Sequence, residues 1–350
     1  MKRIIINGKF MAERMQGIVR YARQIVLSLD QQLKKGDKVW LVVPPNAQNI
    51  PDYKHIRVIV YGIHTGIFWE QTELRRFAEY YKDSILLNLC NTSPFFAGES
   101  ITTVHDIMYK VNPSHYTTLR NKISRYWHMI QYSYLFRHEK LILTVSEFSK
   151  REIQRFYPCA KGKIKVIPNA WQHTAEYKQS TDWQERYPKL KAGEFFFSLA
   201  TLAKNKNGRW IIETAKKNPQ YIFAMAGKIY EREYGSDLPQ NVILLGFISD
   251  EDACALMKNC RAFVFPSLYE GFGLPPLEAL ALGAQVISSN AASLPEVLGK
   301  SVHYIDPHTS GTDLDKLLNE PVEDAEKTLD RFSWDKSAEK LLEIILNQEK

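Results

Sequence analysis

The sequence predicts an α/β protein of two doubly wound domains, each built on a parallel sheet, and three observations carry that prediction. A chain of 350 residues is long enough for two domains that each bury a core. Short Ile-, Leu- and Val-rich runs flanked by turn or helix signals recur along it, as parallel strands buried on both faces do. The alternation restarts after a polar, pattern-poor stretch at residues 171–193, which places the linker near residues 170–190. The expected division is therefore an N-terminal domain over residues 1–175 and a C-terminal domain over residues 190–334. Hydrophobic residues at 45% and charged residues at 24% are ordinary for folded soluble proteins and disfavour disorder, collagen-like repetition and coiled coil.

Taken in order, the first half offers strands at 3–6, 39–43, 58–60, 85–89, 101–104 and 141–145. Between the first two, Ile18, Tyr21, Ala22, Ile25, Val26 and Leu29 recur at three- and four-residue spacing, which predicts a crossover helix over 17–29. The second half offers strands at 194–199, 221–225, 241–245, 261–265, 284–287 and 303–305, with a helix over 250–257 capped by Ser249 ahead of Asp252. No apolar run approaches the roughly 18 residues that cross a bilayer, and the opening apolar stretch breaks after Ile6, too soon for a signal peptide. The expectation is a cytoplasmic chain. Cys90, Cys159, Cys254 and Cys260 are scattered without a CxxC pair, so neither a zinc site nor a disulfide framework is indicated and the thiols are read as buried and reduced.

Charge is unevenly shared. Residues 1–168 carry 26 Lys+Arg against 13 Asp+Glu, while residues 169–350 carry 20 against 26. Lys110 to Lys165 alone holds twelve basic and three acidic side chains, a field that attracts phosphates, anionic lipid headgroups or nucleic acid. The bland reading is a solvated basic face with no partner.

The most informative stretch is 261–299. A buried strand is followed by a loop with Gly271 and Gly273, then Pro275 and Pro276, then the helical pattern of Leu277, Leu280 and Ala281. Proline suits a helix's first turn because the N–H it lacks would have had no intrahelical partner, so the helix should start near Leu274. Its free N–H groups then lie at the carboxyl end of a strand, where backbone donors can hold an anion. Two carboxylates bracket the turn, Glu270 in the loop and Glu278 in the first helical turn, each able to accept hydrogen bonds from vicinal sugar hydroxyls. Singly, either reads as a solvated or helix-dipole carboxylate; together in this turn they read as sugar grips. A dinucleotide fingerprint fails because Pro276 occupies the third glycine's place. Asp313-Leu314-Asp315 imitates a metal-binding Asp-x-Asp but opens a helix-like segment far from any glycine loop, and no metal is expected there.

The segment EGFGLPPLEALALG, with seven residues between Glu270 and Glu278, resembles the signature of the family 4 retaining glycosyltransferases, which have the GT-B fold of two facing Rossmann-like domains with a central cleft. The resemblance runs through QGIVRYARQIV around Gly17, TVHDIMY, TVSEFSKREI, IKVIPNA, SLATLAKNKN, FAMAGKIY and SNAASLPEVLG to FSWDKSAEKLLEIIL. That last segment is similar to a final helix, residues 335–350, that crosses back to the N-terminal domain. The resemblance implies that Glu278 binds the nucleotide ribose, and that Glu270 with Gly271 and the N–H groups of Phe272, Gly273 and Leu274 holds the donor sugar and phosphate. Lys206 would neutralise the diphosphate in place of a metal, Gly17 would approach it from the N-terminal domain, and His105 of the His105-Asp106 pair would project into the cleft to contact the donor sugar. An arginine often precedes that lysine in the family; Asn205 stands there instead, with Lys204 as the compensating cation.

The implied function is a retaining, metal-independent transfer of a hexosyl or deoxyhexosyl group from a nucleotide-diphosphate sugar to a glycan or polyprenyl-diphosphate-linked glycan, without cofactor or nucleic acid. WEQ at 69–71 and LLNLCNTSP at 86–94 resemble bacterial surface-polysaccharide mannosyl- and rhamnosyltransferases. Peripheral association with an anionic membrane through Lys110 to Lys165, whose aromatics are Tyr116, Tyr126, Trp127, Tyr132, Tyr134 and Phe136, is expected from the charge. Two rival readings stay open: a nucleotide-sugar epimerase on the same fold, and a non-enzymatic anion- or nucleic-acid-binding protein.

Overall fold

The computed structural model describes residues 2–177, 180–199, 204–227 and 238–347, and resolves the chain into two compact units. The first comprises residues 1–169 and 333–350, the second residues 170–332.

The first unit is a seven-stranded parallel sheet of β1 (Arg3–Asn7), β2 (Val39–Val43), β3 (Arg57–Val60), β4 (Ser84–Asn88), β5 (Ser100–Thr103), β6 (Leu141–Thr144) and β7 (Ile164–Val166), in the order β3-β2-β1-β4-β5-β6-β7. Its central strands are apolar on both faces because helices cover both: Ile4, Ile5, Ile6, Leu86 and Leu87 are essentially inaccessible. Helix α1 (Gly17–Gln32) buries the stripe expected of it, Tyr21, Ala22, Ile25, Val26 and Leu29. It packs against the terminal helix Trp334–Asn347, where Trp334 meets Tyr21 edge-on at 6.1 Å between centroids. Strand β7 is too short to carry a periodic signal and escapes the pattern.

The second unit is a six-stranded parallel sheet of β8 (Phe195–Leu199), β9 (Ile222–Ala226), β10 (Val242–Gly246), β11 (Ala262–Phe265), β12 (Val286–Ser289) and β13 (His303–Ile305), in the order β10-β9-β8-β11-β12-β13. Its core packs Phe196 flat on Phe223 at 5.1 Å beneath Trp210 and Ile211. The helix Asp250–Asn259 is capped as its sequence suggests, Ser249 Oγ accepting the Asp252 N–H at 3.1 Å. Of the cysteines, Cys254 is buried, but Cys159 lies exposed, against the expectation of uniformly buried thiols.

Both sheets share one property that matters for ligands. Each winds outward in two directions from a central pair, β1/β4 in the first unit and β8/β11 in the second. At such a reversal the flanking loops leave to opposite sides and open a crevice beyond the carboxyl ends of the strands.

Candidate active site

In the second unit the loops after β8 and β11 bring the sequence-predicted charges together at that crevice. Lys204–Lys206 forms a single tight turn after β8. Asn205 is buried and ties the loops to each other: its carbonyl accepts the Leu268 N–H at 2.7 Å and its Nδ2 donates to the Tyr269 carbonyl at 3.3 Å. The residue found where the family often has arginine is thus a strut between loops. Residues 200–203 of SLATLAKNKN and 228–230 of FAMAGKIY lie outside the described residues.

Lys206 Nζ sits 2.7 Å from Glu270 Oε1 and 5.0 Å above the Phe265 ring. Both charged side chains are partly exposed, 23% and 14%, so they remain open to a ligand. The Glu270 backbone is pinned by Ser293 Oγ, which donates to its carbonyl at 3.0 Å. Behind the loop, Asn207 takes a left-handed conformation (φ 53°) before the helix Gly208–Lys217, and its Nδ2 donates to the carbonyls of Pro266 and Pro307.

The helix Leu274–Ala281 starts where the prolines predict. Gly273 caps it at φ 96°, and a Cβ there would stand 2.4 Å from Leu294 Cδ2, so conformation and space both demand glycine. Because Pro275 and Pro276 have no N–H, Gly273 and Leu274 supply the donors that this helix start presents. Phe272 is buried edge-on against Phe332.

Glu278 is the fifth residue of that helix, past the first turn, so pairing with the helix dipole does not account for it. Its Oε1 lies 2.7 Å from Nε2 of His173, a side chain only 1% exposed. His173 belongs to the turn Gln172–Glu176, which is fixed to the same unit by Trp171 Nε1 donating to Leu329 O and Gln172 Nε2 to Phe332 O. Sequence reasoning passed over His173, which lies in a stretch read as linker; 105 residues separate it from its partner and no local pattern marks it.

Gly17 and His105 belong to the first unit. Gly17 opens α1 in an exposed position where an added Cβ meets nothing within 4 Å, so the packing of its own unit does not require glycine. His105, expected to project into the cleft, is almost wholly buried. Its ring is buried, stands edge-on to Tyr21 at 4.8 Å and places Nε2 2.9 Å from the Leu89 carbonyl, while the His105 backbone N–H donates to Asn91 Oδ1. Since a carbonyl only accepts, Nε2 carries the proton, and burial pushes the imidazole pKa down to about 4, so the ring is neutral.

Among the described residues no group of three or more His, Cys, Asp or Glu could hold a metal ion. Asp313 caps the Leu314–Asn319 helix through the Lys316 N–H, and Asp315 binds the Tyr221 hydroxyl and the Arg261 guanidinium.

Residues 15–172 match the sequence family Glycosyltransferase Family 4, and residues 179–349 match Glycosyl transferases group 1. The chain is 30% identical over 231 residues to the serotype-specific mannosyltransferase WbdA of Escherichia coli, covering 60% of this chain and 28% of that protein. It is 30% identical over 258 residues to the O-antigen chain mannosyltransferase B of Escherichia coli, covering 65% and 62%. The chain thus spans less than two thirds of either relative's length. Sucrose-phosphate synthase from Thermosynechococcus elongatus shares the fold with a TM-score of 0.73 at 16% identity over 99% of each chain. Two family matches that between them run from residue 15 to residue 349, on two parallel sheets of the GT-B kind, place this chain in family 4 of the glycosyltransferases.

Proposed function

We propose that the chain is a retaining glycosyltransferase that moves a hexosyl or deoxyhexosyl group, mannose or rhamnose, from a nucleotide-diphosphate sugar to a glycan or lipid-linked glycan in surface polysaccharide synthesis. The observation that carries this reading is the Lys206–Glu270 pair at the β8/β11 crevice, beside a glycine-capped helix start with two N–H donors. Lys206 and the N–H groups of Gly273 and Leu274 would receive the diphosphate, Glu270 with Gly271 and Phe272 the sugar, and Glu278, oriented by His173, the ribose. Gly17 would leave room for the diphosphate. His105, being neutral, would serve as a hydrogen-bonding group and not as a general acid.

No side chain is cast as nucleophile. The bond from the anomeric carbon to the diphosphate breaks as the acceptor oxygen bonds to that carbon from the same face, and the acceptor's proton passes to the departing diphosphate oxygen. Charge growing on the diphosphate is met by Lys206 and the helix start, a preorganised electrostatic role that needs neither metal nor cofactor. The relatives named as mannosyltransferases support the donor class. A thermal-shift series with UDP, GDP and dTDP tests the reading: a ligand at 100 times its dissociation constant stabilises by about 2.7 kcal/mol, and stabilisation by none of the three overturns it.

Peripheral membrane association at the inner face of the cell membrane belongs to the same proposal, with revised contacts. Tyr132 and Phe136 are fully buried, and Tyr116 stacks on Tyr109, so these rings are not available for insertion. On the helix Leu119–His138 it is Leu119, Ile123, Tyr126 and Ile130 that share one exposed stripe, flanked by Arg120 and Lys122. No helix among the described residues is long and apolar enough to cross a membrane.

A further inference from the structure

Lys206 stands between two asparagines, and both are bonded to the loop that carries Glu270. Asn205, 5% exposed, accepts the Leu268 N–H on its backbone carbonyl and donates from Nδ2 to the Tyr269 carbonyl. Asn207 donates from Nδ2 to the Pro266 carbonyl at 3.1 Å. The end of β12 and the turn after it supply two more donors: Ser289 Oγ binds the Ser267 carbonyl and Ser293 Oγ the Glu270 carbonyl, both serines being fully buried. The carbonyls of Pro266, Ser267, Tyr269 and Glu270 are thus each held by a side chain of a neighbouring loop.

An irregular loop ordinarily leaves such carbonyls to water and moves with its side chains. Here the backbone under Glu270 is held from both flanks, since β8 and β12 are the neighbours of β11 in the sheet. The position of the ammonium follows from this. Lysine carries a point charge on a flexible four-carbon stem, so its partners decide where that charge stands. The two groups that hold Lys206 Nζ, the Glu270 carboxylate at 2.7 Å and the Phe265 ring at 5.0 Å, both belong to the segment that Asn205 and Asn207 grip. The asparagines therefore fix the register between that segment and the Lys204–Lys206 turn. An arginine at 205 could serve the crevice only by turning its charge out of the buried site, which would strip the Tyr269 carbonyl of its donor.

We propose that Asn205 is a positioning residue for sugar transfer: through the 266–270 loop it places the Lys206 ammonium against the departing diphosphate, so that this chain has order where relatives have a second cation. The inference rests on the glycosyltransferase reading given above.

The test measures nucleotide release by the full chain from GDP-mannose, or from UDP-glucose or dTDP-rhamnose where UDP or dTDP is the nucleotide that stabilises it. The nucleotide thermal shift and the urea midpoint accompany it. Asn205→Ala should lower kcat about tenfold and change KM by no more than about threefold, because a displaced ammonium still attracts the bound donor but meets less of the charge that grows in the transition state. In a Lys206→Ala background the same change should cost about twofold or less, since no ammonium is left to position, whereas a merely structural role would cost as much as in the wild type. Asn205→Arg should also lower kcat about tenfold, without a larger nucleotide shift. Ser293→Ala, which releases the Glu270 carbonyl instead, should repeat the alanine pattern and serves where Asn205→Ala does not fold. Losses that multiply in the two backgrounds, kcat within about threefold of wild type in the folded alanine variant, or faster turnover with a larger nucleotide shift in Asn205→Arg overturns the inference. A wild type that releases no nucleotide and is stabilised by none of UDP, GDP and dTDP would instead strike the glycosyltransferase reading itself, so the two failures are distinguishable.

Discussion

Replacing Lys206 by alanine probes the chemistry most directly. Lys206 Nζ lies 2.7 Å from Glu270 Oε1, with both side chains partly open to solvent. A unit charge about 4 Å from a diphosphate oxygen, at an effective dielectric of about 20, interacts by roughly 4 kcal/mol, and up to one further unit of negative charge develops on the leaving group as its bond to the anomeric carbon breaks. Part of that attraction is already present in the bound donor, and part replaces the existing pairing with Glu270. The share that appears only in the transition state is therefore about 2.7–4 kcal/mol, the loss seen when one preorganised group is removed, or 10²- to 10³-fold in turnover. The fold should hardly notice, because a partly exposed ion pair contributes only about 1 kcal/mol. The assay is kcat and KM for sugar transfer, with the unfolding midpoint as control and EDTA as a parallel arm. Turnover within about threefold of wild type in a folded variant would refute the reasoning. So would EDTA inhibition relieved by Mg²⁺ or Mn²⁺, which would assign the charge to a metal.

Other outcomes follow from the same structure. Glu278→Ala should weaken nucleotide binding by about 1.5–3 kcal/mol; His173→Leu should lose about tenfold while His173→Gln, which keeps an N–H donor, recovers most of it, and equal affinities across the series by calorimetry would remove both residues from the site. Gly273→Ala should destabilise by roughly 2–3 kcal/mol in urea unfolding, since φ 96° and Leu294 both oppose a Cβ; a change under about 0.5 kcal/mol would contradict it. Glu139 is buried among Ser93, Ser100 and Thr102, and burial pushes its pKa up to about 7 from 4.5. The folded state therefore keeps a proton that the unfolded chain releases, so stability falls as pH rises between those values; Glu139→Gln should flatten that slope, and parallel slopes for both proteins would sink the argument. Sedimentation with liposomes should require anionic lipid, weaken with salt, and fall when Leu119 and Ile130 become serine or Arg120 and Lys122 become glutamate; equal binding to neutral vesicles would exclude the electrostatic part.

What the sequence by itself determined is what local pattern encodes. Apolar runs of four to five residues mark strands covered on both faces, the stripe from Ile18 to Leu29 marks α1, and two prolines after two glycines mark the helix start at Leu274. Glu270 and Lys206 were legible too, because each follows a readable strand in a recognisable motif. Tertiary structure decided the rest. It buried His105 against Leu89, turned Tyr132 and Phe136 inward while leaving Leu119 and Ile123 outside, and set His173 on Glu278. It also assembled Asn7, Lys9, Glu70 and Thr92 into one polar cluster from segments up to 85 residues apart. The physical reason is that hydrophobic periodicity reports which face of an element is covered, whereas a buried charge or imidazole is stabilised by specific partners that sheet order brings close, and sheet order leaves no periodic trace along the chain.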